Sequence, residues 1–242
     1  MPVRGKALLE YWLDVVGTLS PIDVVVNFHH HAEAVEKFLK RPAFKTWVNG
    51  VFEEKLLGTA GTLRVNNQAL RGETILVAHA DNYCECDFTN FLQYHWVSRP
   101  KDCPMTMMTF TASDPTTCGI VQLDQRGVVT ALFEKSKTPP GTLANGAVYL
   151  LEREVLDWVC QRPRVTDFST QVLPRFVGRI ATWFNQNTHI DIGSEETLHQ
   201  AQLISSRKVN IPIEKMDEWS KEFASHPIHK LIQSAMKVNK NT

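Results

Sequence analysis

Thr74-Ile-Leu-Val-Ala-His-Ala-Asp-Asn82 decides the fold class of this chain. Ile75 to Ala78 is an unbroken apolar run. Such a run reads as a strand buried on both faces, the kind found inside an open parallel sheet. Ligands of those sheets sit just past the carboxyl ends of the strands, where Asp81 and Asn82 follow. A carboxylate there can hold a hard divalent cation, and the cation can hold phosphates. The plainer reading makes Asp81-Asn82 a turn or a helix cap.

Upstream, residues 6–19 carry apolar positions at helical spacing, and Ser20-Pro21 ends that helix. Ile22–Asn27 reads as a β-branched strand, and the segment after His29-His30-His31 as a second helix. Helix, strand, helix is the rhythm of a parallel α/β sheet. Adjacent histidines point in different directions, so the triplet reads as a loop rather than a metal site. Gly58-Thr-Ala-Gly61 opens another helix. Its small residues let the backbone approach a flat ligand, and Thr59 is placed to cap the helix.

Downstream, Asp87 is the expected N-cap of a helix running to Trp96. Met105–Ala112 reads as a core strand, and the runs 118–124 and 128–135, linked by Gln-Arg-Gly, as a hairpin. Ala144–Leu151 and Ile180–Asn185 are further strands, with helices over 152–160 and 167–177 between them. His189-Ile-Asp-Ile-Gly-Ser194 leads into a helix capped by Ser194. Asp191 lies between two isoleucines. A carboxylate in what looks like a buried segment needs a partner, and a metal would serve.

Composition narrows the function classes. Lys plus Arg total 26, as do Asp plus Glu, which gives no electrostatic case for nucleic acid or an anionic membrane. No apolar run approaches a bilayer span, and Met-Pro-Val-Arg-Gly-Lys lacks the apolar core of a secretory leader. A cytoplasmic location is expected. The five irregularly spaced cysteines read as free thiols rather than a disulfide framework. No Gly-rich phosphate loop of the common types occurs, which counts against an ordinary Rossmann oxidoreductase.

The order of the signals is more specific than any one of them. Pro2-Val-Arg-Gly-Lys-Ala-Leu-Leu-Glu-Tyr-Trp-Leu13, Leu57-Gly-Thr-Ala-Gly61, His79-Ala-Asp-Asn82, Cys118-Gly-Ile-Val121, Phe133-Glu-Lys135, Asn145-Gly146 and Asp191-Ile-Gly193 occur in sequence. That series resembles the sugar-1-phosphate nucleotidyltransferases, and among them the mannose-1-phosphate guanylyltransferase-like members, over residues 2–205. The resemblance implies an α/β fold of the nucleotide-diphospho-sugar transferase type, a Rossmann-like mixed sheet with helices on both faces. It implies a nucleotidyltransferase domain over 1–205 and a helical tail over 206–242, the tail being the candidate surface for a homo-oligomer.

The implied reaction joins a nucleoside triphosphate to a sugar 1-phosphate and releases pyrophosphate, a step of nucleotide-sugar and polysaccharide biosynthesis. The implied cofactor is Mg2+, held by Asp81 and Asp191. Gly58, Thr59, Ala60, Gly61 and Asn82 would bind the nucleotide. Gly119, Glu134, Lys135, Asn145 and Gly146 would bind the sugar and its phosphate, with Lys135 also neutralising charge in catalysis. The family opens with a strand, a Gly-rich loop carrying an Arg, and a Lys, all ahead of the segment matching Pro2. Met1 falls after them, so the chain as written is expected to be poorly active. The alternative is a catalytically inactive nucleotide-sugar-binding or regulatory homologue.

Overall fold

The computed structural model describes residues 1–203 and 216–238. Short strands β1 (Pro2–Val3) and β2 (Lys6–Ala7) pair before α1 (Leu8–Thr18). Lys6 and Ala7 thus belong to a ribbon, not to the expected helix. Next come β3 (Val25–Phe28), α2 (Ala32–Leu39), β4 (Asn49–Phe52), α3 (Thr59–Val65) and β5 (Thr74–Ala78). Then follow β6 (Asn82–Cys84), α4 (Phe88–Gln93), β7 (Met105–Thr111), β8 (Gly119–Leu123), β9 (Val129–Glu134) and β10 (Leu143–Glu152). The last elements are α5 (Arg153–Cys160), α6 (Leu173–Phe176), β11 (Ile180–Phe184), β12 (His189–Asp191), α7 (Glu195–Leu203), α8 (Glu218–Ser225) and α9 (Ile228–Val238).

The sheet is organised around β10, not around β5. Its order is β11-β7-β10-β8-β9, with β5 also on β10. It is mixed: β11 runs parallel to β7, while β10 is antiparallel to β7, β8 and β5. The long β10 changes partner halfway. Ala144 lies opposite Ile120 of β8, whereas Val148 to Glu152 lie opposite β5. Between them Ala147 takes φ 51°, in the left-handed region, and the register against β7 shifts.

The expectation that Thr74–Ala78 sits inside a parallel sheet is therefore corrected. It pairs antiparallel, with β10 only among the described residues, and most of its side chains are half-buried. β3 and β4 form a separate parallel pair, and β6 and β12 a short antiparallel one.

Helices cover both faces of the sheet. Met105, Met107, Tyr149 and Leu151 pack with Leu63 of α3, Val155 of α5 and Phe176 of α6. Met108, Val148 and Leu150, the alternate positions, pack with Trp12 of α1 and with Phe88 and Phe91 of α4. This is the period of two that a strand imposes. Asp87 caps α4 as expected, accepting from Asn90 N–H at 3.0 Å, and Ser194 Oγ accepts from Thr197 N–H at 3.1 Å.

The chain after residue 215 packs back on the front of the fold. Trp219 and Phe223 join the cluster of Phe38, Leu39 and Phe44, and Asp217 pairs with Arg41 at 2.7 Å. Parts of the expected tail, 206–215 and 239–242, lie outside the described residues. No helix among the described residues is long and apolar enough to cross a membrane.

Candidate functional site

β6 and β12 carry the two acids to one place. Asp191 lies opposite Asn82 in their pairing, and Ile192 N–H reaches the Asp81 carbonyl at 3.4 Å. Both Asp81 and Asp191 are exposed. The expectation of a buried Asp191 is corrected: it ends a three-residue strand exposed, and its neighbours Ile190 and Ile192 are only half-buried, so burial does not force a partner on it. Neither acid forms an ion pair among the described residues, and no cluster of three or more His, Cys, Asp or Glu ligands occurs among them. Two free carboxylates suit a cation such as Mg2+, which binds through one or two carboxylates and completes its shell with phosphate and water.

A second group gathers at the far end of the β8–β9 hairpin. Gly119 is opposite Glu134, and a Cβ added at Gly119 would meet Glu134 Oε2 at 2.7 Å and the Asn145 Cβ at 3.8 Å. The glycine lets the carboxylate and the amide approach each other. Asn145 Nδ2 donates to the Tyr149 hydroxyl at 2.7 Å, and its Oδ1 accepts from Ala147 N–H at 3.0 Å. Tyr149 is fully buried. Burial pushes its hydroxyl pKa up, against the hydrogen bonds from Asn145 and Ser169. Lys135 ends the hairpin with φ 44°, its N–H on the Cys118 carbonyl at 3.1 Å.

Gly146 joins the two groups. Asn82 Nδ2 donates to its carbonyl at 3.4 Å, and a Cβ on Gly146 would meet the Met108 carbonyl at 3.1 Å and the His189 ring at 3.5 Å. Asn82 is itself buried and accepts Trp12 Nε1–H on its carbonyl at 2.8 Å. The Cys118 thiol also reports the proximity. Its pKa is raised by burial first, opposed by the Thr117 hydroxyl, and raised further by Asp191, Asp114 and Glu134.

The Gly58–Gly61 turn borders the same region through a cavity of about 640 Å³ that touches both Thr59 and Asp81. Gly58 has φ 72°, and Ala60 N–H donates to the Thr166 carbonyl at 2.9 Å. Thr59 does not cap α3, which corrects the expectation. Its Oγ1 accepts from Phe168 N–H at 2.8 Å, tying the turn to the 166–168 loop. Ala60 and Gly61 are buried, so within this turn Gly58 and Thr59 are the residues open to a ligand.

Sequence reasoning passed over His189 and Cys84, which face each other across β12 and β6. The His189 ring lies 4.5 Å from that of Phe110, and its buried Nδ1 has no hydrogen-bond partner. The Cys84 pKa is lowered to about 6 by a hydrogen bond from Cys86 and, more weakly, by His189, against the effect of burial. A signal for His189 existed: it precedes Asp191 by two residues, and in a strand that spacing shares a face.

The family described as nucleotidyl transferase matches residues 1–207. A relative from Sulfolobus acidocaldarius is 28% identical over 174 residues, and the mannose-1-phosphate guanylyltransferase of Mycobacterium tuberculosis 26% over 167 residues. These matches cover 72% and 69% of this chain but 47% and 46% of those proteins. The chain thus spans about half the length of the curated relatives it matches. Among solved structures, HddC from Yersinia pseudotuberculosis complexed with GMP-PN shares the fold, with a TM-score of 0.69 and 20% identity over 84% of this chain and 87% of that one.

Proposed function

Since the chain belongs to the nucleotidyl transferase family and has the nucleotide-diphospho-sugar transferase fold, we propose that its site transfers a nucleotidyl group from a nucleoside triphosphate to a sugar 1-phosphate. One observation carries the reading. Two exposed carboxylates without ion-pair partners among the described residues, Asp81 just ahead of β6 and Asp191 at the end of β12, stand near the cluster of Gly119, Glu134 and Asn145. In this reading residues 1–205 carry the reaction, and α8 and α9 are appended to it.

An oxygen of the sugar phosphate attacks the α-phosphorus of the triphosphate. A P–O bond forms there as the bond to pyrophosphate breaks. No protein nucleophile is needed, so positioning and charge neutralisation do the work. Asp81 and Asp191 would hold Mg2+, which when bound neutralises phosphate charge and aligns the reacting oxygens. Glu134 accepts hydrogen bonds from sugar hydroxyls, and Asn145, fixed by Tyr149 and Ala147, presents its amide to the same ligand. Lys135 brings a cation beside Glu134. The turn at Gly58-Thr59 lies against the base, with Ala60 N–H held by the Thr166 carbonyl and Thr59 by Phe168.

The names of the relatives put guanosine triphosphate and mannose 1-phosphate first among the compounds to test. The experiment is a panel of triphosphates and hexose 1-phosphates with Mg2+, read as binding by NMR and as pyrophosphate release. Binding that needs Mg2+ and is lost in Asp81→Asn and Asp191→Asn supports the reading. Binding indifferent to both substitutions overturns it.

A further inference from the structure

Cys84 and Cys86 lie side by side where β6 ends, on the ribbon that Asp81 precedes and Asp191 closes. Both are free and half-buried, and both pack against the cluster of Trp12, Phe88 and Met108. The Cys86 thiol donates a hydrogen bond to the Cys84 sulfur. Cys84 Sγ also accepts from Asn185 Nδ2 at 3.9 Å, and His189 faces it across the ribbon. Donors gathered on one sulfur favour its thiolate, which is the reactive form. Of the five thiols, Cys84 alone has a lowered pKa. Burial raises Cys103, Cys118 and Cys160, and Cys86 is raised first by its hydrogen bond to Cys84.

Glu85, between the two cysteines, binds the opposite strand's approach through its main chain. Its N–H donates to the Thr188 carbonyl at 2.8 Å, and its carbonyl accepts from Asn185 Nδ2 at 3.0 Å. These bonds continue the β6–β12 ladder by one residue and hold the 185–188 loop, which leads into His189 and Asp191.

We propose that Cys84 and Cys86 form a hydroperoxide-sensitive dithiol, in which Cys84 is oxidised, Cys86 closes a disulfide onto it, and closure releases the 185–188 loop from Glu85. The Cys84 thiolate attacks one peroxide oxygen. An S–O bond forms, the O–O bond breaks, and hydroxide leaves, so sulfur is oxidised by two electrons and the peroxide is reduced. The Cys86 sulfur then attacks the Cys84 sulfenic acid. The S–S bond forms, the S–OH bond breaks, and the departing hydroxide takes the Cys86 proton as water. A partner already at contact captures the sulfenic acid before further, irreversible oxidation. Two thiols serving only as apolar filling leave the donors on Cys84 without a purpose, since such burial raises a thiol pKa, as at Cys103.

Geometry links closure to the ribbon. Residues two apart in an extended chain lie roughly 7 Å apart at Cα. A disulfide closes most readily at about 5.5–6 Å. Closure therefore draws Cys84 and Cys86 together and turns the Glu85 peptide away from Thr188 and Asn185. The effect on the acids of the ribbon rests on the nucleotidyl-transfer reading; the dithiol itself does not.

The test treats the whole chain with hydrogen peroxide, blocks remaining thiols with iodoacetamide and maps them by peptide mass spectrometry. The expected product is a Cys84–Cys86 disulfide that dithiothreitol reverses. Before oxidation, Cys84 should be alkylated at neutral pH at least tenfold faster than the other four cysteines. After it, the Glu85 amide should exchange at least tenfold faster. In Cys86→Ser the reaction should stop at a Cys84 sulfenic acid that dimedone captures. Equal alkylation of the five thiols, a disulfide through another cysteine, no dimedone adduct in Cys86→Ser, or unchanged exchange at Glu85 overturns the proposal. None of these readouts involves nucleotide or metal, so their failure is distinct from failure of the proposed reaction.

Discussion

Asp81 and Asp191, 110 positions apart in the chain, are neighbours across one short ribbon, with Ile192 N–H on the Asp81 carbonyl at 3.4 Å. Each is exposed, so replacing either with asparagine removes charge without opening the core. Asp81→Asn and Asp191→Asn should each shift folding stability by no more than about 0.5 kcal/mol. Each should weaken Mn2+ binding in the presence of nucleotide at least tenfold, read by electron paramagnetic resonance. A variant that keeps metal affinity would remove that residue from the site.

Gly119 and Gly146 separate a site effect from a stability effect. At Gly119 an added Cβ meets Glu134 Oε2 at 2.7 Å, the far end of a flexible exposed side chain. Gly119→Ala should leave stability nearly unchanged and displace Glu134, weakening sugar phosphate binding. At Gly146 the Cβ meets the Met108 carbonyl at 3.1 Å, and main chain yields less easily. Gly146→Ala should cost roughly 1–3 kcal/mol, the usual range for overpacking. Urea unfolding beside sugar phosphate titration distinguishes the two.

Gly58 has no comparable escape. Its φ is 72°, and a Cβ there would lie 2.4 Å from the Thr166 carbonyl oxygen. Left-handed strain and a backbone clash act together, so Gly58→Ala should destabilise by at least about 1–3 kcal/mol. The damage should reach the Thr59–Phe168 hydrogen bond. Faster amide exchange at Phe168 is the local readout, and urea unfolding gives the total.

These local constraints mark the border of what the sequence revealed. The apolar run at Ile75–Ala78 reported correctly that its residues meet helices on both faces, since Ile75 packs with the α3 cluster and Leu76 with the α1 cluster. It could not report edges, because side chains alternate between faces while hydrogen bonds run sideways. The centre of the sheet was therefore misplaced from β10 to β5. Thr59 looked like a cap because local spacing suggested one. The competing donor, Phe168 N–H, arrives from a loop 109 residues away. Asp191 looked buried because Ile190 and Ile192 flank it, yet a strand of three residues at the surface leaves its outward face wet. The motifs for the two acids and the Gly119–Glu134–Asn145 cluster were readable one by one, and their meeting was a property of the pairing.

His95 should set an acid limit on stability. It is fully buried, its Nδ1 2.7 Å from Thr106 Oγ1 and its Nε2 3.1 Å from Glu152 Oε1. Burial, then the nearby Arg99, holds its pKa down to about 4, against the pull of Glu152. The unfolded value is about 6.5. Between those values the unfolded chain takes up a proton that the folded chain refuses. This contribution is complete above about pH 6.5 and is lost as pH falls toward the folded pKa, at up to about 1.4 kcal/mol per pH unit. Urea midpoints at several pH values across this window should show the decline, and His95→Gln should flatten it.

Arg41 fastens the chain after residue 215 to the front of the fold. Its guanidinium donates to Glu10 at 2.8 and 3.4 Å, to Asp217 at 2.7 Å and to Ser220 Oγ at 2.9 Å, and lies 4.7 Å from the Trp219 ring. Arg41 and Glu10 are 7% and 8% exposed, so removing one charge strands the other without water. Arg41→Met should cost about 3–5 kcal/mol, and adding Glu10→Leu should recover much of it, because the stranded carboxylate is the main penalty. Asp217 supplies the pH dependence. Burial raises its pKa, but the hydrogen bonds from Arg41 and Ser220 outweigh burial and leave it lowered. That stabilisation is present above the unfolded carboxylate value of about 3.9 and is lost as pH falls through the lower folded value. The α8 amides should therefore stay protected from exchange at pH 5 and lose protection below about pH 4. In Asp217→Asn the acid-dependent step should vanish, and a step that persists would place the sensitive group elsewhere.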